Sequence, residues 1–79
     1  METRSLNTIA REIKREWTKP YFGAVPYLDA MLSLNGVNDQ YGFDSGKSIV
    51  LYFLANAGSW RGDKAKQIKN ELKLMAGIK

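Results

Sequence analysis

The 79-residue chain contains no cysteine and no histidine. Without cysteine, a domain of this size cannot be held by disulfides, the usual support for small folds. With neither residue, nearly every zinc, copper and haem ligand set is excluded. Histidine is also the commonest general acid–base residue and the base of the Ser-His-Asp and Cys-His schemes. Carboxylate, lysine and tyrosine chemistry remains, in a chain too short to enclose a deep substrate pocket with ease. The expectation is therefore a protein that is not an enzyme and uses neither metal nor cofactor. Long apolar runs are also scarce. The longest, Ile49 to Ala55, has seven residues, against the ~20 needed to span a bilayer. The first twenty residues are polar and periodic, without the apolar stretch of a secretory signal. The expected setting is soluble and cytoplasmic, and lack of cysteine fits a reducing compartment.

What is present is an uneven distribution of charge. Twelve Lys and Arg against eight Asp and Glu give a formal net charge of +4. Residues 1–20 hold five basic and three acidic groups, residues 21–60 one and three, and residues 61–79 six and two. Two basic ends thus flank a slightly acidic, strongly apolar middle. With 44 % hydrophobic residues the chain has a globular composition, and its length predicts a single domain, residues 1–79.

Hydrophobic spacing predicts four short helices and an all-α fold, a compact bundle. Leu6, Ile9, Ala10, Ile13 and Trp17 recur on one helical face, with Ser5 or Thr3 as the cap and an end near Thr18, because Pro20 disfavours helix at Lys19. Pro26 suits the first turn of a second helix that runs through Leu34, carries Leu28, Met31 and Leu32 on one side, and stops at Asn35-Gly36. After a polar loop over residues 37–44, Asp44 or Ser45 caps a third helix running to about Ala57 and stopped by Gly58. Ile49 and Val50 make a strand the competitor there, but residues 47–57 contain no Pro or Gly. The last helix opens at Ser59 or Asp63, ends near Ala76-Gly77, and turns Ala65, Ile68, Leu72 and Met75 inward.

Three motif matches fail on inspection. Gly42-Phe43-Asp44-Ser45-Gly46-Lys47-Ser48 resembles a P-loop, but its spacing is one residue short, Tyr41 stands where glycine is needed, and no strand precedes it. A weaker reading survives: Ser45, Gly46 and Lys47 at a helix start are candidates for holding an anion. Arg61-Gly62-Asp63 is read as a helix start, with the aspartate at the positive end of the dipole. Residues 35–46 cannot be a calcium loop, since Val37 and Gly46 occupy ligand positions.

Two surfaces carry more weight. The third helix is apolar nearly all round: eight of the nine residues from Ile49 to Ala57 are apolar, where a surface helix needs only one stripe. It is either a central helix wrapped by the others, which is slightly favoured, or a helix with one face covered by another chain. Trp17, Tyr27, Phe53 and Trp60 are assigned to the core. Tyr21, Phe22, Tyr41 and Phe43 lie in connectors, as packing plugs or as contact residues for a partner. Second, Lys66, Lys69 and Lys73 follow one edge of the last helix, and Arg4, Arg11 and Arg15 lie together on the back of the first, with Arg11 and Arg15 as its binding candidates. Such basic edges are the footprint of nucleic-acid binding. They form one site only if those helices place them side by side.

The runs Trp17-Thr18-Lys19-Pro20-Tyr21-Phe22-Gly23-Ala24-Val25-Pro26-Tyr27-Leu28, Tyr41-Gly42-Phe43-Asp44-Ser45, Tyr52-Phe53-Leu54-Ala55-Asn56 and Trp60-Arg61-Gly62 resemble small uncharacterised proteins encoded in bacteriophage and prophage genomes. The resemblance implies a bacterial host cytoplasm and an accessory protein that acts by binding host or phage macromolecules. It assigns no functional residue. The leading expectation is a binding module acting on a host or phage protein, or on a second copy of itself, through an apolar and aromatic patch. The alternative is nucleic-acid binding through the basic edges.

Overall fold

The computed structural model describes residues 4–77. The chain folds as α1 (Leu6–Glu16), α2 (Val25–Met31), β1 (Gln40–Tyr41), β2 (Asp44–Ser45), α3 (Gly46–Ala55) and α4 (Asp63–Met75). The fold is mostly helical, but the expectation of a purely helical chain needs correction. The segment expected to be a loop over 37–44 instead forms, with Ser45, a two-stranded antiparallel hairpin pairing Gln40 with Ser45 and Tyr41 with Asp44. Its two-residue loop is Gly42-Phe43, with Gly42 at φ 62°. Positive φ at the first loop position belongs to the primed turns that match strand twist, and it places Phe43 at the hairpin tip.

Helix limits follow the capping chemistry. Ser5 accepts a hydrogen bond from the Thr8 amide at the start of α1. Thr3, the other capping candidate, lies outside the described residues. A turn over residues 21–24 leads into α2, closed by the Ala24 amide donating to the Tyr21 carbonyl. Pro26 sits in the first turn of α2, where its missing N–H costs nothing. This helix ends at Met31, before the expected Leu34, because the Ser33 and Leu34 amides bond back three residues, to Ala30 and Met31, the tighter 3₁₀ pattern. Ser45 caps α3 by accepting from the Ser48 amide. That helix stops two residues before Ala57, where the Asn56 side chain donates to the Tyr52 carbonyl.

The N-termini of α1 and α3 both end on the segment between α2 and β1. Leu6 and Asn7 donate their backbone N–H groups to the Asn35 and Leu34 carbonyls at 2.9 and 3.0 Å. Gly46 and Lys47 donate theirs to Asp39 and Val37 at 2.7 and 2.9 Å. The Asp39 carboxylate folds back to accept from the Asn35 and Gly36 amides, and Asn7 Nδ2 donates to the Leu34 carbonyl. One short loop thereby satisfies donors that each helix start leaves open.

The core takes one face from each helix: Leu6, Ile9, Ala10 and Ile13 of α1; Leu28, Ala30 and Met31 of α2; Ile49, Val50 and Phe53 of α3; Ala65, Ile68 and Leu72 of α4. Both α1 and α3 pack on α2 and on α4, so the helices ring the core and α3 is not wrapped by the other three. Trp17 stacks on Trp60 with ring centroids 5.6 Å apart and meets Phe53 edge-on at 6.3 Å. Tyr27, assigned to the core from sequence, is only half-buried and packs on its edge.

Gly46 fixes how closely α3 approaches the capping loop. A Cβ there would collide with the Gly36 carbonyl oxygen and lie 2.9 Å from Val37 Cα. Both obstacles are backbone and cannot swing aside. Gly46→Ala is therefore expected to destabilise the fold by about 1–3 kcal/mol, the usual cost of overpacking, seen as a lower urea midpoint at unchanged slope. Gly58→Ala, in open space, serves as the control.

Candidate functional site

The outer face of α3 carries the first candidate surface. With Ile49, Val50, Phe53 and Ala57 turned inward, helical periodicity sends Leu51, Tyr52 and Ala55 outward, and all three are exposed. Tyr52 is 46 % exposed and lies 5.3 Å, centroid to centroid, from Tyr27 of α2. Tyr21 and Phe22 continue the surface beyond the C-terminal end of α3. Their rings are 4.8 Å apart, and Phe22 is 79 % exposed. The Tyr21 ring lies over Gly23, where a Cβ would be 2.6 Å from Tyr21 Cε2 and 2.9 Å from Asn56 Oδ1. The bare glycine lets the ring settle beside the α3 terminus. Phe22, Tyr21, Tyr52, Tyr27, Leu51 and Ala55 thus form an apolar and aromatic surface, edged at the start of α3 by the exposed Lys47, one turn before Leu51.

Tyr41 and Phe43 are exposed too, but they belong to the hairpin at the other end of α3. Ten helical residues separate the two aromatic pairs, about 15 Å along the axis. Of the four connector aromatics, the structure therefore places Tyr21 and Phe22 together and Tyr41 and Phe43 apart from them. None is a buried plug. The sequence identified α3 as apolar all round but could not tell which of its residues face outward.

The cations sort into two groups. In the first they are paired along the α1–α4 seam. Arg4 makes a two-pronged contact with Glu71, at 3.0 and 2.6 Å, and a further one with Glu12 at 2.9 Å. Lys64 and Arg15 each approach Glu12 to 3.7 Å. The hydrogen bond from Arg4, reinforced by the surrounding positive charge, holds the Glu12 carboxyl below its ordinary value of 4.5 against the opposing effect of burial. Glu71 and then Glu12 hold the Arg4 guanidinium above its ordinary value. Arg11 is exposed and donates to Asn7 Oδ1 at 3.0 Å.

The second group is unpaired among the described residues. Lys66, Lys69 and Lys73 lie on the flank of α4 away from Lys64 and Glu71, as positions i, i+3 and i+7 require. With Trp60, Arg61, Gly62 and Asn70 they line a shallow hollow of about 370 Å³ that has no carboxylate in its wall. Lys69 Nζ donates to the Trp60 carbonyl at 2.6 Å and lies 5.9 Å from the centre of that indole. Burial, then the neighbouring Lys73 and Arg61 charges, lower its pKa. Although α1 and α4 pack together, the two basic edges do not merge: Glu12 and Glu71 stand between Arg11 and Arg15 on one side and the α4 lysines on the other. Arg61, read from sequence only as part of a chance tripeptide, joins the lysines because the α3–α4 connector folds beside them.

The anion site expected at Ser45, Gly46 and Lys47 needs correction. The Gly46 and Lys47 amides are bonded to loop carbonyls, and the Ser48 amide to Ser45 Oγ. The first turn of α3 has no free backbone N–H to wrap an anion, and only the exposed Lys47 side chain remains there. Among the described residues no group of His, Cys, Asp or Glu is arranged to hold a metal ion, and no helix is long and apolar enough to cross a membrane.

The Glu12 pairing carries a pH consequence. A carboxyl depressed in the fold stabilises it above its unfolded value, and that contribution is lost as pH falls through the folded value. Acid is thus expected to weaken the α1–α4 seam below about pH 4.5. Glu12→Gln is expected to lower stability at pH 7 by about 1 kcal/mol, the upper range for a partly exposed pair, and to flatten the stability–pH curve as pH falls below about 4.5. Thermal unfolding followed by circular dichroism across that range checks both effects. No protein-family model, curated protein or solved structure matches the chain, so the functional reading rests on the geometry of these two surfaces.

Proposed function

We propose that this protein is a small non-enzymatic binding module that acts through protein–protein contact, with self-association through the outer face of α3. The observation that carries this reading is the surface formed by exposed Phe22, Tyr21, Tyr52 and Leu51 with half-buried Tyr27. Contiguous apolar surface of this kind marks contact sites in soluble proteins, and aromatic residues are enriched at the centre of interfaces.

A second copy is the partner we favour, on grounds of charge. A two-fold interface brings a patch against its own image. The net charge of +4 makes most such pairings repulsive, above all across the lysine flank of α4. The α3 face carries one ionised side chain, the exposed Lys47 one turn before Leu51 at its edge, so a two-fold pairing there brings far less like charge together than one across the α4 flank. A domain of 79 residues also buries a limited core, and association is one way to supplement it. The resemblance to phage and prophage accessory proteins fits a module whose work is binding rather than chemistry.

Light scattering from about 1 µM to 1 mM protein tests the reading, with a mass rising from monomer to dimer expected at a dissociation constant of about 100 µM or tighter. Tyr52→Lys and Leu51→Asp change exposed positions and place charge in the mirrored patch. They are expected to leave helical circular dichroism intact and weaken association tenfold or more. A mass that stays monomeric at 1 mM sinks self-association. A dimer indifferent to both substitutions moves the interface elsewhere.

A further inference from the structure

The unpaired cations of α4 have a geometry of their own. Arg61, Lys66, Lys69 and Lys73 converge on one hollow, and none forms an ion pair within the described residues, whereas Arg4, Lys14, Arg15 and Lys64 all do. Lys69 is partly withdrawn from solvent and anchored to a backbone carbonyl, so its charge is fixed in place beside Lys73 and Arg61. Holding several like charges together without a counter-charge costs free energy that an anion would recover.

The dimensions restrict which anion fits. From Lys66 to Lys73 is seven residues, a span of about 10 Å along the helix. That row matches an extended polyanion, since a strand with a charge every ~3.4 Å of rise can follow it from end to end. The wall of the hollow argues against an acidic protein surface, which would need apolar contacts beside its charges. Trp60, the one large apolar residue there, is 5 % exposed, and the apolar part of the remaining lining comes from the aliphatic stems of Arg61, Lys66, Lys69 and Lys73 rather than from aromatic or branched side chains. Lysines are point charges that neutralise phosphates without reading bases.

We propose that the α4 flank formed by Arg61, Lys66, Lys69 and Lys73 binds the phosphate backbone of nucleic acid, without sequence preference. The contact is electrostatic and lies on different elements from the aromatic face of α3. Arg11 and Arg15, on the far side of the Glu12 and Glu71 carboxylates, do not contribute.

Fluorescence anisotropy with a labelled 20-base-pair DNA duplex tests this, using the intact chain at salt concentrations from 50 to 200 mM. Four phosphate contacts predict a slope of log K against log salt of about −3 to −4. Lys66→Ala/Lys73→Ala alters two exposed positions, should keep the fold by circular dichroism, and is expected to weaken binding about tenfold or more at 50 mM salt and reduce the slope by about two. The charge-retaining pair Lys66→Arg/Lys73→Arg should bind as the parent does, and so should Arg11→Ala/Arg15→Ala. No anisotropy change up to about 100 µM protein at 50 mM salt, weaker than ordinary non-specific binding, overturns the proposal. So does an equal loss in the Arg11/Arg15 pair. Polyglutamate that competes as well as unlabelled duplex assigns the hollow to an acidic protein and overturns it as well.

Discussion

The structure depends on the way a six-residue loop, Leu34 to Asp39, satisfies the open N-terminal donors of two helices. An α-helix begins with N–H groups that have no partner within it, and burying such groups unpaired is costly. Here the Leu34 and Asn35 carbonyls close α1, while the Val37 and Asp39 carbonyls close α3. The loop is held in shape by the Asp39 carboxylate on the Asn35 and Gly36 amides. The closeness of α3 to this loop is possible because residue 46 has no side chain. Because this one segment fixes where both helices start, it also sets the direction in which α3 presents its outer face. The same contacts account for the missing anion site: donors that cap the fold are not available to a ligand.

Charge is partitioned with similar economy. Acids are placed where two helices meet, so that Arg4, Lys64 and Arg15 are neutralised along the α1–α4 seam, with Lys14 and Asp29 pairing separately at 3.1 Å between α1 and α2. Of the cations left without an ion pair among the described residues, Arg61, Lys66, Lys69 and Lys73 are gathered on one flank of α4, while Arg11, Lys19 and Lys47 stand singly elsewhere. The net charge of the chain is thus a poor guide to its electrostatics. The local field belongs to cations that form no ion pair among the described residues, while the aromatic face of α3 carries only Lys47 at its edge.

Much of this was legible in the sequence, and what was not has identifiable causes. The inward residues of α1 and α4 follow from 3.6-residue spacing alone, and the Ser5 and Ser45 caps are local signals. The hairpin was hidden because Gln40-Tyr41 and Asp44-Ser45 are too short for an alternating pattern, leaving only Gly42 to announce a turn. The early end of α2 comes from 3₁₀ bonding at Ser33 and Leu34, which apolar spacing does not record. The outward face of α3 was illegible because its inward and outward residues have the same chemistry; packing against α2 and α4 decides between them. The separation of the basic edges and the inclusion of Arg61 were likewise settled by tertiary placement, since the relevant acids lie on two different helices.

The stacked pair of Trp17 and Trp60 has a spectroscopic meaning. These are the only two tryptophans in the chain, and they occupy one site, where the C-terminal end of α1 meets the connector before α4, with Phe53 edge-on to Trp17. Indole emission, and the indole part of the near-ultraviolet dichroism, therefore come from a single joint rather than from the molecule at large. That joint is built from contacts distant in sequence, so its optical signal reports ring closure between the first helix and the last. The capping loop, which contains no aromatic residue, folds or frays without being seen by tryptophan.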